Sequence, residues 1–420
     1  MEKLIIKGGN RLEGCVSISG AKNSALKVLC ASILTSERIR LFNIPTGLED
    51  VRASIDMIKS VGAKVFIKNN TVTIDNSSIN NYDVSIPNDK DIRTSLLMLG
   101  SLLGKHGKAK VPLPGGCNIG DRKFDLHIYA LERLGAKVKI TDDGYIEAET
   151  TGLQGAEIEF PFLTMGGTEN SIIASCLAKG LTTIKNAYVT PEVLDLIRFL
   201  KYMGAEIKVK GSRYVKIDGV KQLHGTGHTI IPDRLEALTF IVAGAVTKGF
   251  VEIEEFPIDF LGIPLIYLEE AGVIFHKGRR SVIVDGQGAF SPLEIVAGSY
   301  PGVISDMQPL FSVFATQSLG VSRIIDVRYP SRFGYIKYLQ RMGADINQEG
   351  NIAVINGPTR LKGSDVNAEN LRAGAALICG ALCAEGKTAI ENVYQIDRGY
   401  ERIEQKLKDL GANITRVIRE

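Results

Sequence analysis

No two cysteines in this 420-residue chain have the spacing of a disulfide framework or a metal knuckle. Cys15, Cys30, Cys117, Cys176, Cys379 and Cys383 are scattered, which predicts reduced thiols. Cys30, Cys176, Cys379 and Cys383 fall in apolar helical runs and read as small buried hydrophobes. CxxC and HExxH are both absent, and His224 and His228 are separated by Gly-Thr-Gly, which would not hold a helical face, so no metal is assigned. A dominant charge is missing too. Fifty basic residues against 47 acidic ones leave +3, which excludes the basic field of a nucleic-acid binder and leaves any anion to be met by local charges. Long apolar runs are also absent. The stretch 237–246 is far too short to span a bilayer, and MEKLIIKGGN has no apolar signal-peptide core, so a cytoplasmic protein without a membrane partner is expected. Walker A and GxGxxG fingerprints after a strand are missing, and ATP or NAD chemistry finds no support.

What the chain does have is glycine, 44 residues of it, in a globular composition of 45% hydrophobic and 23% charged residues. The length predicts two or three domains. Self-similarity decides for two. A helix ending in an apolar residue, then Gly, then a short strand recurs six times, at Gly62, Gly135, Gly204, Gly272, Gly343 and Gly411, with intervals of 73, 69, 68, 71 and 68 residues. A second helix-to-strand marker runs in step, from TSERIRLFNIP to AEGKTAIENVY. The repeat therefore reads as an α/β unit of strand, helix, strand, helix, strand, and three units closing on themselves would make one domain. The weakest join lies near 211–233, and the opening segment 3–20 fits either half.

Charged clusters mark the predicted helix starts. First helices begin near Lys22-Asn23, Arg93, Glu169-Asn170, Arg234, Asp306 and Asn370-Leu371-Arg372, and second helices add Arg122, Arg332 and Arg398. Arginine there opposes the helix dipole, so capping does not explain it. An anionic ligand does, since helix N-termini and guanidinium forks both bind phosphate and carboxylate. A single arginine is better read as pairing with a carboxylate between domains; the set at matching positions favours an anion site.

The loop Pro114-Gly115-Gly116-Cys117-Asn118-Ile119-Gly120-Asp121-Arg122 joins an apolar strand to a helix beginning near Phe124. Its glycines let the backbone approach a ligand. A thiol five residues before an arginine has the electropositive surroundings that lower a cysteine pKa, and it could attack or donate a proton. Spacing alone leaves that role open.

These residues, with Gly20-Ala21-Lys22-Asn23, Asp125-Leu126-His127, Thr168-Glu169-Asn170, Pro232-Asp233-Arg234, Asp306-Met307-Gln308 and the run from Ile396 to Ile403 (IDRGYERI), resemble the UDP-N-acetylglucosamine 1-carboxyvinyltransferases across nearly the whole chain. The related 5-enolpyruvylshikimate-3-phosphate synthases share the six-unit design but lack the PGGC loop. The resemblance implies two inside-out α/β barrels of three units each, residues 22–231 forming one and 1–21 with 232–420 the other, with the site in the cleft between them. It implies transfer of enolpyruvate from phosphoenolpyruvate to a sugar 3-hydroxyl of a uridine nucleotide sugar, through a tetrahedral ketal, in peptidoglycan synthesis. No metal, organic cofactor or obligatory protein partner is implied.

By the same resemblance Cys117 is the acid that protonates the methylene carbon, and Asp306 accepts the proton of the attacking hydroxyl. Lys22, Arg122 and Arg398 would hold the phosphate, and Arg332 and Arg372 the carboxylate. Asn23 would meet the amino sugar, and Arg122-Lys123-Phe124-Asp125-Leu126 would wrap the uracil. Thr164, Gly166, Arg328 and Tyr329 complete the nucleotide-sugar set, with Arg93 and His127 supporting loop closure. Asn370 stands where the family usually has a catalytic aspartate, and an amide cannot titrate. Lys123 replaces a usual proline, Leu97 a usual aromatic, Tyr329-Pro330-Ser331-Arg332-Phe333 the usual Phe-Glu-Asn-Arg-Phe, and Val303-Ile304-Ser305 the usual Phe-Pro-Thr. These changes cluster on the acceptor side. They leave two alternatives: a paralogue acting on another uridine nucleotide such as UMP in secondary metabolism, and a weakly active regulatory homologue that binds a nucleotide sugar.

Overall fold

A computed structural model of the chain describes residues 2–84, 93–114 and 123–418. All six repeat glycines lie just past a helix in the left-handed region, with φ of 106° at Gly62, 89° at Gly135, 101° at Gly204, 99° at Gly272, 98° at Gly343 and 91° at Gly411. At the first of them the Gly62 N–H donates to the Lys59 carbonyl (2.9 Å) and the Ala63 N–H to that of Ile58 (3.1 Å), and the same pair of bonds recurs at the other five. This closure satisfies the last helical carbonyls and turns the chain into a strand, and a side chain at the left-handed position would be strained.

In the first five units the strand that follows is half of a hairpin, which corrects the expected unit; after Gly411, Asn413–Ile418 pairs instead with Glu2–Lys7. Lys64–Lys68 is followed by Thr71–Asp75, paired antiparallel with it, so the repeat is strand, helix, strand, helix, hairpin. The extra strand has five residues, TVTID, and its alternation recurs as YVKID at 214–218 and SVIVD at 281–285, a short signal that the six-glycine repeat overshadows. In the first sheet the strands lie in the order Gly227–Thr229, Arg38–Phe42, Thr71–Asp75, Lys64–Lys68, the first pair parallel and the rest antiparallel. Five such four-stranded sheets and one of three strands occur among the described residues; in the last, Asp83 makes a single parallel bridge to Lys110 where the others have a strand.

Two compact units result. One holds residues 20–84, 93–114 and 123–231. The stretch expected as its weak end contains the strands Tyr214–Asp218 and Gly227–Thr229, and the second completes the unit's first sheet. His228 is buried there with Nε2 3.1 Å from Asp195 Oδ1. The other unit holds residues 2–19 and 232–418. Its first strand, Glu2–Lys7, lies between Lys387–Glu391 and Asn413–Ile418 in the last sheet, antiparallel to both, while Glu13–Ser17 runs parallel to Phe250–Glu254 in the first.

Within each unit the first helix of every repeat is inside, while second helices such as Gly262–Glu270 bury one side only and the sheets lie outside. Every residue of the Arg234–Val246 and Gln308–Ala315 helices is buried, as helices apolar on all sides require. The sheets alternate buried and half-exposed residues, as in Ser281–Asp285, so one face packs on the helices. Glu169 and Asn170, expected at a helix start, lie in the second turn of the Met165–Ser175 helix. They face inward: Lys27 Nζ is 2.9 Å from Glu169 Oε1, with side chains only 4% and 6% exposed.

Gly20, just ahead of the Lys22–Ser32 helix, has no room for a side chain, because a Cβ there would stand 1.8 Å from the backbone oxygen of Asn43. Gly20→Ala is expected to cost roughly 1–3 kcal/mol by overpacking, read as a lower midpoint in thermal unfolding. An unchanged midpoint would mean that the Asn43 turn yields.

Candidate functional site

In the unit that holds residues 232–418, Arg332, Arg372 and Arg398 are, like Arg234, taken almost wholly out of water. Arg332 is 7% exposed, Arg372 3% and Arg398 7%. Buried guanidinium needs anions. Asp306, two residues before the Gln308–Ala315 helix, lies between the first two, with Arg332 Nη1 donating to Oδ1 at 2.5 Å and Arg372 Nε to Oδ2 at 3.0 Å. Burial alone would push the Asp306 carboxyl up, but the Arg332 and Arg372 charges outweigh it and hold the group far below the usual carboxylate range. One carboxylate against two guanidiniums leaves positive charge over. Arg332 Nε is buried without a hydrogen-bond partner among the described residues, a donor left for an anion.

Local structure explains the placement. Asn370 is the N-cap of the Leu371–Cys383 helix, and its side-chain oxygen accepts the N–H groups of Arg372 (3.1 Å) and Ala373 (3.0 Å). That cap fixes Arg372 at the second helical position. Arg372 Nη1 also donates to the Tyr400 hydroxyl (3.3 Å), which lies 2.9 Å from Thr239 Oγ1. Burial pushes the Tyr400 hydroxyl up, so it stays neutral. The Arg332 guanidinium lies 5.8 Å from the Tyr329 ring centre. Arg398 is not at a helix start as expected; it caps the C-terminus of the short Tyr394–Asp397 helix, and its Nη1 donates to Gln395 Oε1 at 3.3 Å. Its neighbour Asp397 accepts both Arg416 Nη groups, at 2.8 and 2.7 Å, which ties this turn to the final strand.

In the other unit Lys22 begins the Lys22–Ser32 helix, buried, with Nζ 2.6 Å from Asp50 Oδ2; Asn23 beside it is half-buried. Arg93 Nη2 donates to the Lys123 carbonyl (2.7 Å), joining the segments on either side of 94–122. Thr164 caps the Met165–Ser175 helix by accepting the Gly167 N–H. Gly166 lies against the His127 ring, where a Cβ would stand 2.3 Å from Nε2, and His127 Nδ1 is 3.2 Å from Asn170 Nδ2. Phe124 precedes the Asp125–Arg133 helix. Asp125 and Leu126 line an open depression with Tyr129, Glu159, Phe160, Pro161 and Asn186. Leu97 is buried in the Ser95–His106 helix. Cys117 and Arg122 lie outside the described residues.

The structure thus gathers Asp306, Arg332, Arg372 and Asn370 into one cluster, with Arg328 and Tyr329 on the turn that leads to Arg332. It adds groups that the sequence did not single out. Asp50 sits in the first turn of the Glu49–Ser60 helix and looks like an ordinary dipole-balancing acid. Asp326 ends a strand, and Arg416 lies in the last one.

A sixfold α/β repeat with its first helices inside and a carboxylate clamped by buried arginines defines the enolpyruvyl transferase class. The family model described as EPSP synthase (3-phosphoshikimate 1-carboxyvinyltransferase) matches residues 6–407. The crystal structure of the enolpyruvyl transferase NikO from Streptomyces tendae superposes with a TM-score of 0.90 and 26% identity, covering 99% of this chain and 98% of its own. The UDP-N-acetylglucosamine 1-carboxyvinyltransferase of Methylacidiphilum infernorum is 43% identical over 99% of both chains, and that of Magnetococcus marinus 42% identical over 99% of this chain and all of its own. The chain belongs to the UDP-N-acetylglucosamine 1-carboxyvinyltransferase family and is an enolpyruvyl transferase.

Proposed function

We propose that this enzyme transfers enolpyruvate from phosphoenolpyruvate to the 3-hydroxyl of UDP-N-acetylglucosamine in the cytoplasm, releasing phosphate. Full-length identity of 43% and 42% to two proteins that carry this name supports the acceptor, against 26% to NikO. Among the described residues no helix is long and apolar enough to cross a membrane. The observation that carries the chemistry is the Asp306–Arg332–Arg372 cluster.

The reaction adds a proton at C3 of phosphoenolpyruvate and the sugar oxygen at C2, then expels phosphate as C3 loses a proton again. It calls for an acid, a base and cations around a trianion. In this reading Cys117 supplies the proton. Lys22, Arg122 and Arg398 hold the phosphate, and Arg332 and Arg372 the carboxylate. Asn23, Lys123, Phe124, Asp125, Leu126, Thr164, Gly166, Arg328 and Tyr329 serve the nucleotide sugar, with Arg93 holding Lys123. Asp306 is the base, and its ion pairs give it a switch. In the free protein both its oxygens are engaged by guanidinium donors, and a carboxylate so held is a weak base. The carboxylate of phosphoenolpyruvate presents the same two oxygens to Arg332 and Arg372. By taking over those donors it would leave Asp306 free to accept the proton of the hydroxyl. Asn370 keeps the helix cap that an aspartate would provide without adding a second negative charge beside Arg372.

Phosphate release from phosphoenolpyruvate, assayed with UDP-N-acetylglucosamine and with UMP, tests the reading. Release is expected with the nucleotide sugar, together with a mass increase at Cys117 on treatment with the epoxide fosfomycin. Release with UMP alone would reassign the acceptor, and no release with either would end the enzymatic reading.

A further inference from the structure

Beside the Asp306–Arg332 pair lies a second carboxylate with a different set of partners. Asp326 closes the Gly320–Asp326 strand and is fully buried. Its Oδ1 accepts the backbone N–H groups of Arg328 (2.9 Å) and Tyr329 (2.8 Å), and its Oδ2 accepts the hydroxyl of Ser305, itself buried. Three neutral donors thus satisfy a charge that would otherwise be costly to bury. The sheet brings the partners together. Ala297 lies opposite Asp326 in parallel register, and the next residue, Gly298, bridges Ile304, which delivers Ser305 to the strand end. The turn continues with the Arg332 N–H donating to the Tyr329 carbonyl at 3.0 Å.

Two adjacent residues of one segment therefore grip both ends of another. Ser305 holds Asp326 at the start of the 326–332 turn, and Asp306 holds Arg332 at its end. We propose that Ser305 and Asp326 are positioning residues for Asp306. Their hydrogen bond sets where the Asp306 carboxylate stands relative to Arg328 and Tyr329, so the base and the acceptor-side turn keep one fixed geometry. With the Ser305 rung absent, Asp306 would be held by its arginines alone, and those are the groups that the substrate carboxylate draws away. The rung matters most at the moment when Asp306 is released. This inference rests on Asp306 being the base.

The test uses the full chain with Ser305→Ala, Ser305→Thr and Asp326→Asn. Ser305→Ala removes the rung and leaves the Asp326 turn its backbone donors. It is expected to lower kcat with UDP-N-acetylglucosamine about tenfold or more while KM for phosphoenolpyruvate stays within about twofold, the pattern of a misplaced base. Ser305→Thr keeps the hydroxyl and should recover most of the rate. Asp326→Asn, whose amide still accepts the two N–H groups while the Ser305 hydroxyl turns to accept from it, should fall between them. An independent reading needs no activity: in the ligand-free protein, hydrogen exchange at the Arg328 and Tyr329 amides should quicken about fivefold in Ser305→Ala but not in Ser305→Thr. A lower melting temperature with unchanged kcat per folded molecule would reduce the rung to a structural contact and overturn the proposal. So would Ser305→Thr no better than Ser305→Ala, or unchanged exchange at both amides. If the wild type itself shows no turnover, Asp306 is not acting as a base and the proposal falls with that reading, whereas active wild type with indifferent variants overturns the rung alone.

Discussion

Asp306→Ala should lower kcat by about two to four orders of magnitude, the range for loss of a general base, while phosphoenolpyruvate binds more tightly than to the wild type. The two effects move in opposite directions because Asp306 has two parts. As a base it is needed for turnover. As an anion it occupies the donors of Arg332 and Arg372 that the substrate carboxylate requires, so removing it removes a competitor. Calorimetric titration with phosphoenolpyruvate and steady-state phosphate release measure the two separately. Weaker binding in the variant would show that Asp306 organises the arginines instead of competing for them. The variant should also lose roughly 3 kcal/mol of stability, the low end for breaking a buried pair, because the Asp306 side chain retains 30% exposure. The sign with pH follows from the depressed carboxyl. Its contribution is present above the ordinary aspartate range and is lost only as pH falls through the much lower folded value.

The largest expected effect on stability comes from Lys27. Lys27→Met leaves Glu169 buried without its cation and should cost about 3–5 kcal/mol, read from denaturant unfolding. Adding Glu169→Gln to it should recover most of the loss, because both charges are then gone. Burial holds the Glu169 carboxyl above its ordinary value, against the attraction of Lys27. A raised acid favours the folded state below its unfolded value and loses that contribution as pH rises through the folded one. Without Lys27 the value rises further, so the single variant should suffer more at pH 8 than at pH 5. Equal losses at both would mean that Glu169 is already protonated across that range.

How far the sequence reveals this protein depends on whether a feature is local. The six glycines are legible because a helix that turns at once into a strand needs a left-handed residue, and glycine adopts it without strain. The hairpin strand after the first five is harder to see, since an alternation of five residues such as TVTID in Thr71–Asp75 is short and takes its place from its neighbour. The arginines stand out as a set, yet Glu169 and Arg398 do not occupy the helix starts that their charged clusters suggest. Lys22 stands out in its motif while its partner Asp50 does not, because nothing in residues 49–60 distinguishes a buried acid from an ordinary first-turn one. Ser305 and Asp326 are 21 positions apart and meet only through sheet register.

The position of the Glu2–Lys7 strand separates the order of synthesis from the order of completion. Among the described residues, 20–231 contain every strand of their own three sheets, whereas Glu2–Lys7, made before any of them, pairs only with 387–391 and 413–418. Leu4 and Ile6, fully buried in the finished protein, have no sheet to join until nearly the whole chain has been made. At about 5–20 residues per second, the nascent enzyme carries Leu4 and Ile6 on an unpaired strand for roughly 20–80 s.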